Sequence, residues 1–286
     1  MQREPSVAGM FYPADPVRAR AEVARLLQEA RQGLPRNSFF AGLVPHAGWV
    51  YSGGVAAKTF AALAESGKST TIVLFGAVHS WGVERPSIYA RGAWHTPLGS
   101  LPVDESLAAE IVRQGRGQVV DDPRAHSEEH SIEVQLPFIK YLFPEARIVP
   151  LAVPPLDEAP RVGEIVAGAI GLRRQPEVFL VGSSDLTHYG PRYGFAPRGT
   201  GPAALAWAKE NDARLLDEVV HLRAEEIVRR AIRDRSACGA GAIAATVAAA
   251  RALGAKQGIV LEQTTSYDVR PEGMPSDFVG YASVVF

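Results

Sequence analysis

A three-layer α/β/α sandwich around a central mixed sheet is the fold this sequence predicts, and three observations predict it. Apolar runs too short for helices recur at Phe39 to Val44, Thr71 to Gly76, Arg147 to Val153 and Val178 to Gly182. Each reads as a buried strand. Stretches of helical periodicity alternate with them, the order that a sheet covered on both faces requires. Two further extended segments, Gly258 to Tyr267 and Phe278 to Phe286, close the chain. No repeat, low-complexity tract or linker interrupts residues 1–286, so the chain reads as a single domain long enough to bury one large core.

Taken in order, the elements begin at Asp15-Pro16, an N-cap followed by proline at the first helical position. Ala19, Val23, Leu26, Leu27 and Ala30 then repeat at helical spacing. After the Phe39 to Val44 strand, Val55 to Ala64 is expected to be helical. Trp81 to Val103 is punctuated by Pro86, Gly92, Pro97, Gly99 and Pro102, which suggests hairpins flanking a site, with Trp94 as a packing residue. Asp104 opens a helix to Arg113, and Val119-Val120 is extended. A further helix is expected from His126, capped by Ser127 and kinked at Pro137. Asp157 to Gly171, Ala203 to Val220, Ala224 to Ile232 and Ser236 to Leu253 read as helices, and Gly190 to Pro202 as an irregular rim or lid.

Composition narrows the function classes. Thirty basic against thirty-one acidic side chains give a formal net charge of -1, so no global field recruits nucleic acid or an anionic membrane. No run of about eighteen apolar residues occurs, and Met1 to Pro5 opens no apolar leader. A cytoplasmic protein with no nucleic-acid and no membrane partner is expected. Cys238 is the only cysteine, which excludes an internal disulfide and fits a reducing compartment.

Chemistry-bearing residues gather where strands end. The Val178 strand, entered through Pro176 and Glu177, runs into Gly-Ser-Ser-Asp-Leu-Thr-His-Tyr-Gly, placing Asp185 and His188 at the end where open α/β sheets build sites. A carboxylate beside an imidazole can orient the ring and raise its basicity, so the two are expected to act as an acid/base pair rather than as ligands. The bland alternative is a turn cap beside a solvated histidine. His46 follows the first strand in Pro45-His46-Ala47-Gly48, and His79 follows the second. Cys238 opens a small-residue helix, where the dipole favours thiolate. Gly239 and Gly241 complete no dinucleotide fingerprint. His130 and Glu133, spaced i, i+3 on the expected helix, form a second tier, although an acidic first helical turn explains them equally well. No compact zinc-finger or His-Glu-x-x-His spacing is present, so only a fold can join these donors.

Five ordered blocks carry a resemblance: Arg3-Glu4-Pro5-Ser6-Val7-Ala8-Gly9-Met10-Phe11-Tyr12-Pro13, Pro45-His46-Ala47-Gly48, Glu129-His130-Ser131-Ile132-Glu133, Ser183-Ser184-Asp185-Leu186-Thr187-His188-Tyr189-Gly190, and Cys238-Gly239. In these the chain closely resembles the Memo family, called AmmeMemoRadiSam system protein B in prokaryotes and mediator of ErbB-driven cell motility in animals. Trp49 stands where many members carry tyrosine. The family is similar in fold to class III extradiol dioxygenases, which hold non-haem iron with two histidines and a glutamate. The resemblance implies that His46 and His79 take the histidine-ligand positions and His188 that of the acid/base, with Cys238 where the glutamate is expected. It implies a His46/His79/Cys238 site for iron or copper, with zinc also accepted. It implies a metal-dependent redox or oxygenase-like protein of unestablished reaction, related to the dioxygenases. The alternatives are a phosphopeptide- or protein-binding module using the same cleft and a zinc-dependent hydrolase. The implied partners are a small molecule or peptide in the cleft and a radical-SAM system partner.

Overall fold

The computed structural model of the chain describes residues 2–171 and 178–286. The strand entry at Pro176 and Glu177 lies outside the described residues. The first half comprises β1 (Gln2–Arg3), α1 (Pro16–Ala30), β2 (Ala41–Val44), α2 (Trp49–Ser66), β3 (Thr71–Gly76), β4 (Ser87–Ile88), β5 (Ala93–Thr96), β6 (Gly99–Pro102), α3 (Glu105–Gly115) and β7 (Val120–Asp121). Then come α4 (Leu136–Leu142), β8 (Arg147–Ala152), α5 (Ala159–Gly171), β9 (Val178–Ser183), β10 (His188–Tyr189) and α6 (Pro202–Val220). The chain closes with α7 (Ala224–Asp234), α8 (Ala240–Ala252), β11 (Ile259–Thr265), α9 (Ser266–Val269) and β12 (Phe278–Val285).

The central sheet has the order β10-β12-β2-β9-β3-β8-β4-β7, with β11 also paired to β12. Its middle is parallel, in the registers Ala41↔Leu180, Thr71↔Val178 and Thr71↔Arg147. β12 joins β2 and β4 joins β8 antiparallel, which makes the sheet mixed. Every residue of β2, β3 and β9 is buried, as strands covered on both faces demand. A Cβ on Gly42 would lie 2.4 Å from Thr59 of α2, and one on Gly182 would lie 2.3 Å from Thr246 of α8. Gly182 pairs with Leu43, the neighbour of Gly42, and side chains alternate across a strand. α2 and α8 therefore cover opposite faces, and the expected three-layer sandwich is the fold found.

Local chemistry explains the helix starts. The Asp15 side chain accepts from the Arg18 amide at 2.8 Å, and α1 buries Ala19, Val23, Leu26, Leu27 and Ala30. Asp104 caps α3 through the Leu107 amide at 3.0 Å. α2 begins at Trp49, six residues before the expected Val55, because distant groups fix its first turn. The Trp49 amide donates to the Phe11 carbonyl at 2.8 Å and its indole to the Val134 carbonyl at 3.1 Å.

Two expectations need correction. The region Trp81 to Val103 contains one hairpin, β5 with β6, but it pairs with β1 in a separate three-stranded sheet, while β4 enters the central one. Trp94 is buried there as a packing residue. The helix expected from His126 is instead a 3-10 turn at Pro123–His126, an irregular stretch, and a second 3-10 turn at Glu133–Gln135 leading into α4. Pro137 lies in the first turn of α4, where its missing N–H costs nothing, and so starts a helix rather than kinking one.

Candidate metal centre

β2 and β3 flank β9 in the sheet, so the chain leaves their carboxyl ends side by side. His46 follows the end of β2 and His79 that of β3. His130 comes from the irregular stretch before α4. One ring nitrogen from each of these three histidines lies within 4.8 Å of the others. The His79 and His130 rings stack with centroids 4.8 Å apart, and the His46 ring stands edge-on to them at 5.2 and 5.4 Å. Cys238, half-buried just before α8, places its Sγ 3.2 Å from His46 Nε2.

Hydrogen bonds fix which nitrogen of each ring is free. Ser183 Oγ donates its single proton to the Ser131 carbonyl at 2.7 Å and so accepts from His46 Nδ1 at 3.0 Å. That leaves His46 Nε2 as the lone-pair atom, on the side of Cys238. Glu129 Oε1 lies 3.0 Å from His79 Nδ1, and Oε2 accepts the His79 amide at 2.7 Å. A carboxylate at Nδ1 holds the proton there and directs Nε2 outward, the usual support of a metal-binding histidine. Glu129 is buried, and it also accepts the Ser131 amide at 2.8 Å.

The electrostatics agree with this arrangement. Burial, then the neighbouring His79 and His130, hold His46 well below the ordinary imidazole range, and burial first of all lowers His130. Both are neutral donors at physiological pH. Burial also acts to lower His79, but its bonds to Cys238 and Glu129 and their charges outweigh it and raise the ring. Burial acts to raise the Glu129 carboxyl, yet His79 and the backbone N–H groups of Ser131 and His79 outweigh it and keep the group ionised. Burial pushes the Cys238 thiol up.

The structure thus brings together His46, His79 and Cys238, and moves His130 from the second tier into the cluster. Glu133 is elsewhere in function. Its buried carboxylate accepts from Arg3 Nη1 at 2.8 Å, the Ser6 amide at 2.9 Å and hydroxyl at 2.8 Å, and the Val7 amide and Tyr12 hydroxyl at 2.9 Å. It does not share a helix face with His130, because no helix forms there. The expected pairing of Asp185 with His188 is also replaced. Asp185 Oδ1 accepts the amides of His46 at 2.7 Å and Ala47 at 3.3 Å, steadying the loop that carries His46. His188 Nδ1 donates instead to the Leu186 carbonyl at 3.1 Å, which leaves Nε2 as its basic atom. Burial lifts Asp185 to about 7 against the pull of those two amides, and burial lowers His188. His188 and Cys238 line a cavity of about 330 Å³ with Leu186, Tyr193, Ile232 and Arg235.

Glu129, Ser183 and Gln135, which supports Ser183 at 3.2 Å, escaped the sequence reading. Only the adjacency of Glu129 to His130 could have pointed to the first. The donor set fits a transition metal: imidazoles with a thiol beside them suit iron, copper or zinc better than a hard cation. Three equivalent nitrogens about 2.1 Å from one ion lie at most about 3.6 Å apart, so a cluster whose nitrogens lie within 4.8 Å closes on an ion when each moves inward by up to about 0.7 Å.

Comparison with known proteins bears on the fold and the family. A crystal structure of a protein from Escherichia coli K12 superposes with a TM-score of 0.54 over 85% of this chain and 98% of its own, at 14% identity, which speaks for the shared fold. A MEMO1 family protein of Methanopyrus kandleri is 40% identical over 100% of this chain and 99% of its own. Another, of Thermococcus onnurineus, is 35% identical over the same shares. The family model described as Memo-like protein matches residues 3–285, and the chain belongs to the Memo family.

Proposed function

We propose that the chain is a metal-dependent redox or oxygenase-like protein holding a single transition-metal ion on His46, His79 and His130, with Cys238 completing or gating the site. The supporting observation is the convergence of three imidazoles, two with their Nδ1 protons already committed, beside a cavity sized for a small molecule or one side chain of a peptide. Iron or copper suits a redox role, and zinc is the redox-inert alternative. When bound, the ion supplies Lewis acidity and, if iron or copper, one-electron exchange. Glu129 and Ser183 engage Nδ1 of His79 and His46 and so aim their Nε2 atoms at the site. Asp185 holds the His46 peptide in place. His188 offers Nε2 as a proton acceptor at the cavity and is the acid/base of this reading.

Metal analysis of protein purified without added metal, with dioxygen uptake measured on the same sample, tests the reading. Stoichiometric iron or copper with dioxygen uptake is expected. Stoichiometric zinc without uptake would move the reading to hydrolysis, and no metal would overturn it. His188→Ala should keep the metal and lose the uptake.

A further inference from the structure

The N-terminal block Arg3 to Pro13 is the longest motif in the chain, and it lies outside the histidine cluster itself. Arg3 is buried, its backbone in β1 paired with Trp94 of β5 and its guanidinium 4.1 Å from the Trp94 ring centroid. All three of its nitrogens donate, Nη1 also to the Glu4 carbonyl at 3.4 Å. Nε donates to the His126 carbonyl at 2.6 Å, Nη2 to the Glu129 carbonyl at 2.8 Å and Nη1 to Glu133 at 2.8 Å. The Glu129 carbonyl belongs to the peptide that joins Glu129 to His130. The same Glu129 holds the His79 ring, the His79 amide and the Ser131 amide through its side chain. Arg3 therefore touches the one peptide that bears on two of the three clustered imidazoles. The stretch between the two 3-10 turns has no helix or strand of its own, and the bonds fixing the His126 carbonyl at its start and the Glu129 carbonyl within it come from 123 and 126 residues away.

We infer that Arg3 is a positioning residue for the histidine cluster, clamping the segment 126–133 so that Glu129 is held against His79 and His130 is held in its place in the cluster. The planar fork matters here, because a lysine keeps the charge beside Glu133 but gathers its N–H groups on one atom, and so cannot reach acceptors set around three separate guanidinium nitrogens. Glu133 anchors the other side of the clamp by gathering Ser6, Val7 and Tyr12. The mechanical part of this inference stands on the hydrogen bonds alone, whereas its consequence for a metal rests on the proposed function.

Arg3→Lys separates positioning from general stability, with Tyr12→Phe as the comparison that removes one bond to Glu133 and leaves both carbonyls held. Two readouts are taken well below each variant's thermal transition: amide hydrogen exchange at His79 and Ser131, and affinity for cobalt(II). In Arg3→Lys both amides should exchange at least about tenfold faster, and cobalt(II) affinity should fall on the order of ten- to a hundredfold. Tyr12→Phe should lower the midpoint and move neither readout. A lowered midpoint in Arg3→Lys with both amides and cobalt(II) affinity within about twofold of wild type would overturn the inference. If Arg3→Lys does not fold, Trp94→Phe loosens the guanidinium without removing a hydrogen bond. It should speed His79 and Ser131 before Leu180 in β9, and uniform acceleration would overturn the clamp. A wild-type protein that takes up no cobalt(II) would remove the metal reading, while the exchange comparison would still decide the clamp.

Discussion

Glu129 fixes the His79 ring with one oxygen and the His79 backbone with the other. Glu129→Gln keeps the shape and removes the charge. It should lower metal affinity on the order of ten- to a hundredfold with little change in fold, measured by competition with a chelating dye. Unchanged affinity would show that His79 needs no carboxylate. A second buried acid gives a pH prediction away from the cluster. Asp212 accepts the Thr187 amide at 3.0 Å through Oδ1, Oδ2 has no hydrogen-bond partner among the described residues, and burial, opposed by Thr187, lifts the group from its usual 3.8 to about 7. Because the folded-state value is raised, its contribution to stability is complete below about pH 4 and is lost as pH rises to about 7. Asp212→Asn should therefore gain stability relative to wild type across that window, on the order of a few kcal/mol at most. A difference that stays flat with pH would contradict it. The sequence made His46, His79 and Cys238 legible because each follows a strand or opens a helix, positions that local pattern reveals. The roles of Asp185, Glu129 and Glu133 were not legible, because their partners lie far off in the chain.

Among the elements, α5 and α8 pack backbone to backbone. A Cβ on Gly163 would lie 2.0 Å from the Ala245 carbonyl oxygen and 2.8 Å from the Ala249 nitrogen, and backbone atoms cannot turn aside. Gly163→Ala should therefore destabilise the fold by about 2 kcal/mol, seen as a lower denaturant midpoint. Gly54, exposed in the middle of α2 with open space at its Cβ, is the counterpart. Gly54→Ala should stabilise by about 0.5–1 kcal/mol, since only helix propensity changes. If both substitutions shift the midpoint alike, packing at α5 and α8 is not the cause. Elements with strong local signals were readable: Asp15-Pro16 marks α1, and the β-branched run Thr71 to Gly76 is β3 to the residue. The helix that the sequence predicts from His126 gives way to an irregular stretch between two 3-10 turns. Arg3 and Glu129 satisfy groups there that a helix would otherwise have bonded internally, and no local pattern encodes that.

For the whole molecule, the alternation of strand and helix was enough to give the layers, and the parallel middle of the sheet follows from it. The separate three-stranded sheet was not readable, because it joins Gln2–Arg3 to a hairpin about ninety residues later, a non-local pairing. No helix among the described residues is long and apolar enough to cross a membrane. On the proposed function, a bound ion would link the layers to the chemistry. Metal at about a hundred times its dissociation constant should stabilise the fold by roughly 2.7 kcal/mol, and a chelator should reverse this. The most direct measurement is X-ray absorption at the metal edge, with metal per chain, on wild type, His46→Ala and His130→Ala. The account predicts about one ion per chain with imidazole in its first shell, lost or sharply reduced in both variants. Full metal content in His130→Ala, or a wild-type first shell without imidazole scattering, would contradict it.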